Sequence, residues 1–298
     1  MLTHMFCEID DFCKGFEPLF RAHLLAHGKK RMRSTRLSLS EMMTIVVFFH
    51  WSRYRDFKTY YTTYVMQHLT AEFPDLLSYN RFVELMPRII VPLCAYLNQR
   101  KAESTGIAFI DSTSLSVCNN RRIGQHKVFQ GVAARGKTSM GWFFGFNGLI
   151  LSPIHLVIND QGELLNVCLT PGNVHDQLPV SQLCQGLVGK LFGDKGYINK
   201  KLTEALGEQG LILITRLRKN MKNHLMPLID KILLRKRALI ETVIDQLKNI
   251  SQIEHSRHRS YAGFAVNLLA GLVAYTFRPT KPSLNLQAEF GQNMLVLA

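Results

Sequence analysis

Three acidic residues stand where a carboxylate can do chemistry. Asp111 ends the short apolar run of "AFIDST" (108–113), and Asp194 ends that of "KLFGDKG" (190–196). A carboxylate at the end of a buried strand projects from a rigid support into the crevice where open α/β sheets hold ligands. If the two strands are parallel neighbours, their backbones lie about 4.8 Å apart and both side chains reach one divalent cation. The third acid, Glu241, sits in "RALIETVIDQLK" (237–248), which has the periodicity of an amphipathic helix. At about 100° per residue, with Ile240 at zero, Val243, Ile244 and Leu247 fall within roughly 60° of it, and Arg237, Lys248 and Glu241 fall at about 60°, 80° and 100°. Those three form one stripe at the border of the buried face. Taken alone, an Arg–Glu pair four residues apart is more often a modest surface ion pair; the two strand-end aspartates weigh against that reading here. Three carboxylates on one rim suit hard cations such as Mg²⁺ or Mn²⁺. Two such ions would serve an in-line displacement at phosphorus by activating the attacking oxygen and stabilising the leaving one.

The elements that must position these acids are legible in outline. Residues 1–100 read as helical: "SLSEMMTIVVFF" opens with a capping box, Ser38 and Glu41, and 78–99 is a helical region broken by Pro87 and Pro92. From residue 107 the texture turns β-like. One apolar run ends at Asp111, two strands fall within 141–160, and a further strand within 163–176 stops at Pro171 and Gly172. A helix is expected through "LPVSQLCQGLVG" (178–189), then a strand closing at Asp194, a helix ended by Gly210, a strand over 211–218 and a long helix from near Met226. Strands in succession, then alternating with helices, indicate an α/β domain. The expected division is a helical region over 1–100, a catalytic domain over 101–280 and a tail over 281–298.

Composition narrows the partner. Thirty-six Lys and Arg against 22 Asp and Glu give a net charge of +14, an excess that favours a polyanion, because each cation set against a phosphate releases a counterion. The basic residues cluster, as in "KKRMR", "RLRK", "RKR" and "RHR". The six cysteines show no CxxC pair and no zinc-finger spacing, the pattern of reduced thiols in a cytosolic protein. The N-terminus carries acids where a signal peptide needs a basic region. The apolar stretch 263–277 is interrupted by Asn267 and reads as a buried helix rather than a membrane span.

The "IDS" at 110–112, the "GDKGY" at 193–197 and the R-x3-E-x6-K of Arg237, Glu241 and Lys248 together resemble the DDE signature of bacterial insertion-sequence transposases. The layout is similar to the group named after insertion sequence 982, from about residue 30 to "RPTKPS". One departure is that the family often has Tyr three residues before the Arg, where this chain has Leu234. The resemblance implies an RNase H-like mixed sheet with flanking helices behind a helical N-terminal region. It also implies Asp111, Asp194 and Glu241 as catalytic metal ligands for Mg²⁺ or Mn²⁺, two ions in all, with Arg237 and Lys248 on DNA. The implied partners are the terminal inverted repeats of the element and its target DNA, bound by a homo-oligomer in the cytoplasm, with the nucleoid and no membrane. Lys195 is a further candidate for substrate phosphate, equally readable as an exposed loop lysine; Arg121, Arg122 and Lys127 are candidates in a DNA-contacting loop, for which a solvated loop is the default reading. His175 and Asp176 of "TPGNVHD" are supporting candidates, although a turn with Asp176 capping the next helix explains them better. Tyr197 either stacks or packs. Two rivals stay open: a metal-dependent nuclease that cuts without joining, and a DNA-binding protein derived from a transposase that has lost catalysis.

Overall fold

A computed structural model describes residues 1–26, 35–115, 133–138, 141–146, 153–170, 175–216, 225–254 and 260–284. The chain divides into two compact units, Met1–Arg100 with Leu247–Arg278, and Lys101–Gln246 with Pro279–Ala298.

The first unit is helical. It comprises α1 (Leu2–Ala26), α2 (Leu39–Phe49), α3 (Phe57–Thr59) running through a π turn into α4 (Met66–His68), α5 (Tyr79–Leu85), α6 (Ile90–Gln99) and, from the later segment, α11 (Tyr261–Thr276). The capping box that opens α2 is formed in both directions, between the Ser38 hydroxyl and the Glu41 N–H and between the Glu41 carboxylate and the Ser38 N–H. Pro87 lies in a 3₁₀ turn, Met86–Ile89, between α5 and α6. Pro92, expected to break the helix, instead falls in the first turn of α6, where its missing N–H has no intrahelical acceptor to lose. α11, apolar on nearly every side, packs against α2 and α6.

The second unit is built on a five-stranded mixed sheet. Its strands are β1 (Ile107–Thr113), β4 (Ile154–Asn159), β5 (Leu164–Leu169), β6 (Gly189–Gly193) and β7 (Leu211–Thr215), in spatial order β5-β4-β1-β6-β7. β2 (Ala133–Thr138) and β3 (Gly141–Phe146) form a separate antiparallel hairpin between β1 and β4 in sequence. With that hairpin set aside, the first three strands form an antiparallel meander, and β6 and β7 run parallel beside β1. That is an RNase H-like sheet. Its helices are α7 (Val180–Leu183), α8 (Lys200–Glu208), α9 (Leu228–Arg235) and α10 (Ala238–Asp245).

The period of two along the strands divides the packing. Ala108, Ile110, Leu191 and Leu211 turn to one face, where they join Val180, Leu183, Leu202 and Leu206 of α7 and α8 in one buried cluster. Phe109 and Phe192 alternate to the other face, with ring centroids 5.5 Å apart and both rings fully buried. α10 packs on β1, and α9 on β6 and β7. Two expectations need correction. The helix over 178–189 is only the single turn of α7, after which Gly186 takes a positive φ of 78°. The long helix from Met226 is two helices, because the chain turns at Lys236 and Arg237 between α9 and α10.

Candidate active site

Strand register, rather than any single motif, brings the acids together. β1 and β6 pair Ala108 with Leu191 and Phe109 with Phe192. Asp111 and Asp194 each follow two residues later, so the same register sets them side by side, on the face of Phe109 and Phe192, at the C-terminal ends of adjacent parallel strands. Asp111 lies within β1, opposite Leu156 of β4. Asp194 is exposed, just past β6, and its side chain caps nothing in the 3₁₀ turn that follows.

Glu241 arrives from α10, with a side chain 56% exposed. Arg237, the residue preceding α10, joins the acids: its Nη1 donates to Asp111 Oδ2 at 3.3 Å and its Nη2 to Glu241 Oε1 at 2.7 Å. Asp111 Oδ1 also accepts from the Ser112 N–H at 2.9 Å. Burial pushes the Asp111 carboxyl above its ordinary value; Arg237 and the Ser112 N–H pull it down, and Glu241 and Asp194 push it up again. The three acids therefore share one electrostatic field.

A cleft of about 200 Å³ opens at this point, with Asp194, Glu241, Arg237, Arg216, Arg235 and Leu234 in its wall. Leu234 occupies the position of the family's Tyr and is buried, so the wall is apolar there. Among the described residues no three His, Cys, Asp or Glu side chains converge closely enough to hold a metal ion; the Arg237 guanidinium is what bridges Asp111 and Glu241. The donor set itself is all carboxylate, with Asp111 raised by burial first and by its acidic neighbours second, and that chemistry fits a hard divalent cation. A larger cavity of about 810 Å³ lies within the helical unit. Its one acid, Asp56, caps α3 through the Thr59 N–H, which leaves no paired carboxylates there for such chemistry.

The remaining candidates are dispersed. Lys195 is exposed in the turn after Asp194. Tyr197 in the same turn is buried, its ring in the α7/α8 cluster. Burial raises the Tyr197 phenol, and Asp111, Asp176 and Asp194 add to the effect, which puts all three acids in its neighbourhood. His175 is exposed and Asp176 half-buried. The N-cap of α7 is Pro179, with no side-chain cap, so Asp176 does not cap the next helix: the short turn over 176–179 separates it from the first helical N–H groups. Lys248 belongs to the helical unit, in the π turn Gln246–Ile250, and its ammonium meets Glu254 at 3.2 Å. Arg121, Arg122 and Lys127 lie outside the described residues.

One neighbour was not anticipated from the sequence. His155 is fully buried on β4, opposite Ser112, with Nε2 2.7 Å from the Thr170 hydroxyl and no partner for Nδ1 among the described residues. Burial lowers its pKa against the pull of Asp176. The signal was present in "IHLVIN", a histidine inside an otherwise apolar strand. The described cysteines, Cys7, Cys13, Cys94, Cys168 and Cys184, are free, and no described helix is long and apolar enough to cross a membrane.

The family model for the Transposase DDE domain matches residues 101–261, more than half of the chain. No curated protein and no solved structure matches it.

Proposed function

The chain belongs to the family of transposase DDE domains, and on that premise we propose that it cuts DNA at the ends of an insertion sequence and joins the freed 3′-OH strand to target DNA. The observation that carries this reading is the register that sets Asp111 and Asp194 on neighbouring strand ends, with Glu241 tied to Asp111 through Arg237. Asp111, Asp194 and Glu241 would hold Mg²⁺ or Mn²⁺, two ions in all. Bound there, the metal supplies Lewis-acid polarisation of the phosphoryl group and a nucleophile at neutral pH. Arg237 pairs with two of the carboxylates and orients them while no substrate is present. Lys195, Lys248, Arg121, Arg122 and Lys127 are the phosphate contacts of this reading, and His175, Asp176 and Tyr197 its supporting residues. The R-x3-E-x6-K spacing and "GDKGY" favour the group named after insertion sequence 982. Pairing two DNA ends requires more than one active site, so the working form is an oligomer on DNA.

The test is to incubate purified protein with labelled DNA carrying the ends of its own element, with Mg²⁺, Mn²⁺ or EDTA. Specific metal-dependent nicks, reduced on the order of a thousandfold in Asp111→Ala, Asp194→Asn and Glu241→Gln, are the expected result. An Asp194→Asn protein that nicks at the normal rate would overturn it. Pre-cleaved ends separate a transposase, which joins them to target, from a nuclease that only cuts.

A further inference from the structure

The row of side chains at the ends of the parallel strands continues past the two aspartates. β6 and β7 pair Phe192 with Ile214 and Gly193 with Thr215, so the next step in register sets Asp194 beside Arg216. Asp111, Asp194 and Arg216 therefore follow one another across β1, β6 and β7, at about 4.8 Å from backbone to backbone. Arg235, the last residue of α9, lines the same cleft. The guanidinium of Arg237 is engaged with Asp111 and Glu241. Arg216 and Arg235 are both exposed, and neither makes a hydrogen bond or ion pair with any described residue, although Asp194 and Glu241 share their cleft. Planar forked donors left uncommitted beside a pair of acids suit an anion that arrives from outside, and the oxygens of a phosphodiester, the anion a DDE site receives, match such a fork in a two-bond contact.

We propose that Arg216 and Arg235 bind backbone phosphates of the DNA strand being cut, flanking the phosphate presented to Asp111 and Asp194. The inference rests on the DDE reading of the site and adds to it the residues that fix where the strand lies. Neither arginine reads a base, so the contact is independent of sequence and governs register and affinity. "RLRK" and "RKR" are only two basic clusters among several until the pairing of β7 and the end of α9 put Arg216 and Arg235 in the wall of one cleft.

The experiment uses the full chain and a duplex carrying the element's ends. Binding in EDTA is followed as a function of salt, and nicking with Mn²⁺ as a function of DNA concentration, for Arg216→Ala, Arg235→Ala and the corresponding Lys variants. Each Ala variant is expected to lower the slope of log affinity against log salt by about one and to weaken binding by about tenfold. Nicking then falls most at subsaturating DNA. The Lys variants recover the salt slope, whereas a residue with a merely structural role would leave it unmoved. A duplex with one neutral methylphosphonate beside the cut site should weaken the unsubstituted protein and leave the matching Ala variant unchanged. Salt slopes and half-saturating DNA concentrations that stay the same in both Ala variants would overturn the proposal, even if Asp194→Asn abolished nicking. If the unsubstituted protein never nicks, the catalytic reading falls, and the salt slopes alone decide the role of the two arginines.

Discussion

Arg237 Nη1 stands 3.3 Å from Asp111 Oδ2, and both side chains are only 21% exposed. Asp111 is drawn from water by its place within a sheet strand and faces two further acids, so it needs a compensating charge. Arg237 supplies one from the turn before α10 while its second nitrogen holds Glu241. A cation shared by two carboxylates is the arrangement a divalent metal would also satisfy, so on the proposed function a change at Arg237 bears on metal binding as well as on stability.

Asp111→Asn is predicted to stabilise the metal-free protein while removing activity. The unfolded chain ionises Asp111 at its ordinary 3.8, and the folded chain only at a higher pH. Between those values the folded state binds more protons, so stability falls as pH rises through the window and stays lower above it. The asparagine escapes this cost and should gain about 0.5–2 kcal/mol at pH 7, a gain that disappears below 3.8. Urea midpoints at neutral and acid pH measure it; a destabilised Asp111→Asn protein at pH 7 would contradict it. Arg237→Ala should act oppositely and lose about 1–3 kcal/mol, because it leaves the carboxylate without its partner.

Gly193 is the last residue of β6, directly before Asp194, and a Cβ there would lie 3.1 Å from both Ile110 Cγ2 and Tyr197 Cδ2. Both neighbours belong to the packed α7/α8 cluster and have little room to yield. Gly193→Ala should cost about 1–3 kcal/mol and shift the strand end that carries Asp194. The nicking rate then falls more than DNA affinity does. Comparison of nicking at saturating DNA with binding in EDTA checks this, and equal losses in both would count against it.

How far the site was legible follows from how local each signal is. An apolar run that stops at a polar residue marks a strand end, so Asp111 and Asp194 stand out; likewise the helical spacing of Arg237 and Glu241 survives the turn at Lys236 and Arg237, since Arg237 is the N-cap residue of α10. That turn itself has no local mark: "LIDKILLRKRALIETVID" has neither Gly nor Pro, and its apolar period runs through the break. β2, "ARGKT" after its first residue, has no alternating apolar pattern and is a strand only by pairing with β3. Arg216 and Arg235 show the same limit, because their meaning depends on strand register and on a cleft formed by residues distant in sequence. The apolar stretch 263–277 marked α11 as a buried helix, but such a stretch carries no information about which unit buries it; packing on α2 and α6 does.

His50 gives the helical unit an acid-sensitive point. It is buried with Nδ1 2.5 Å from the Ser251 carbonyl, and burial pushes its imidazole down to about 4 against the pull of the Ser251 and Asn267 backbone. The unfolded chain takes up this proton near the ordinary 6.5 and the folded chain only near 4. Stability from this residue is thus full above 6.5 and drains as pH falls between those values, by up to about 3 kcal/mol. Urea unfolding across that range should show the decline, and His50→Gln should flatten it. An equal decline in the variant would assign the acid sensitivity elsewhere.

Metal binding can be read without turnover. An ion that binds the folded chain through Asp111, Asp194 and Glu241, and binds the unfolded chain weakly, raises stability in proportion to the logarithm of its concentration over Kd, by about 2.7 kcal/mol at a hundredfold excess over Kd. Mn²⁺ should therefore raise the melting temperature of the unsubstituted protein, and EDTA should reverse the rise. Asp194→Asn, exposed and outside every ion pair among the described residues, is the sharpest control, because its loss leaves the Arg237 bridge intact. The response should vanish in that variant while its unfolding free energy without metal stays within about 0.5 kcal/mol of the parent. A full Mn²⁺ shift retained in Asp194→Asn would place the ion somewhere other than between the strand ends.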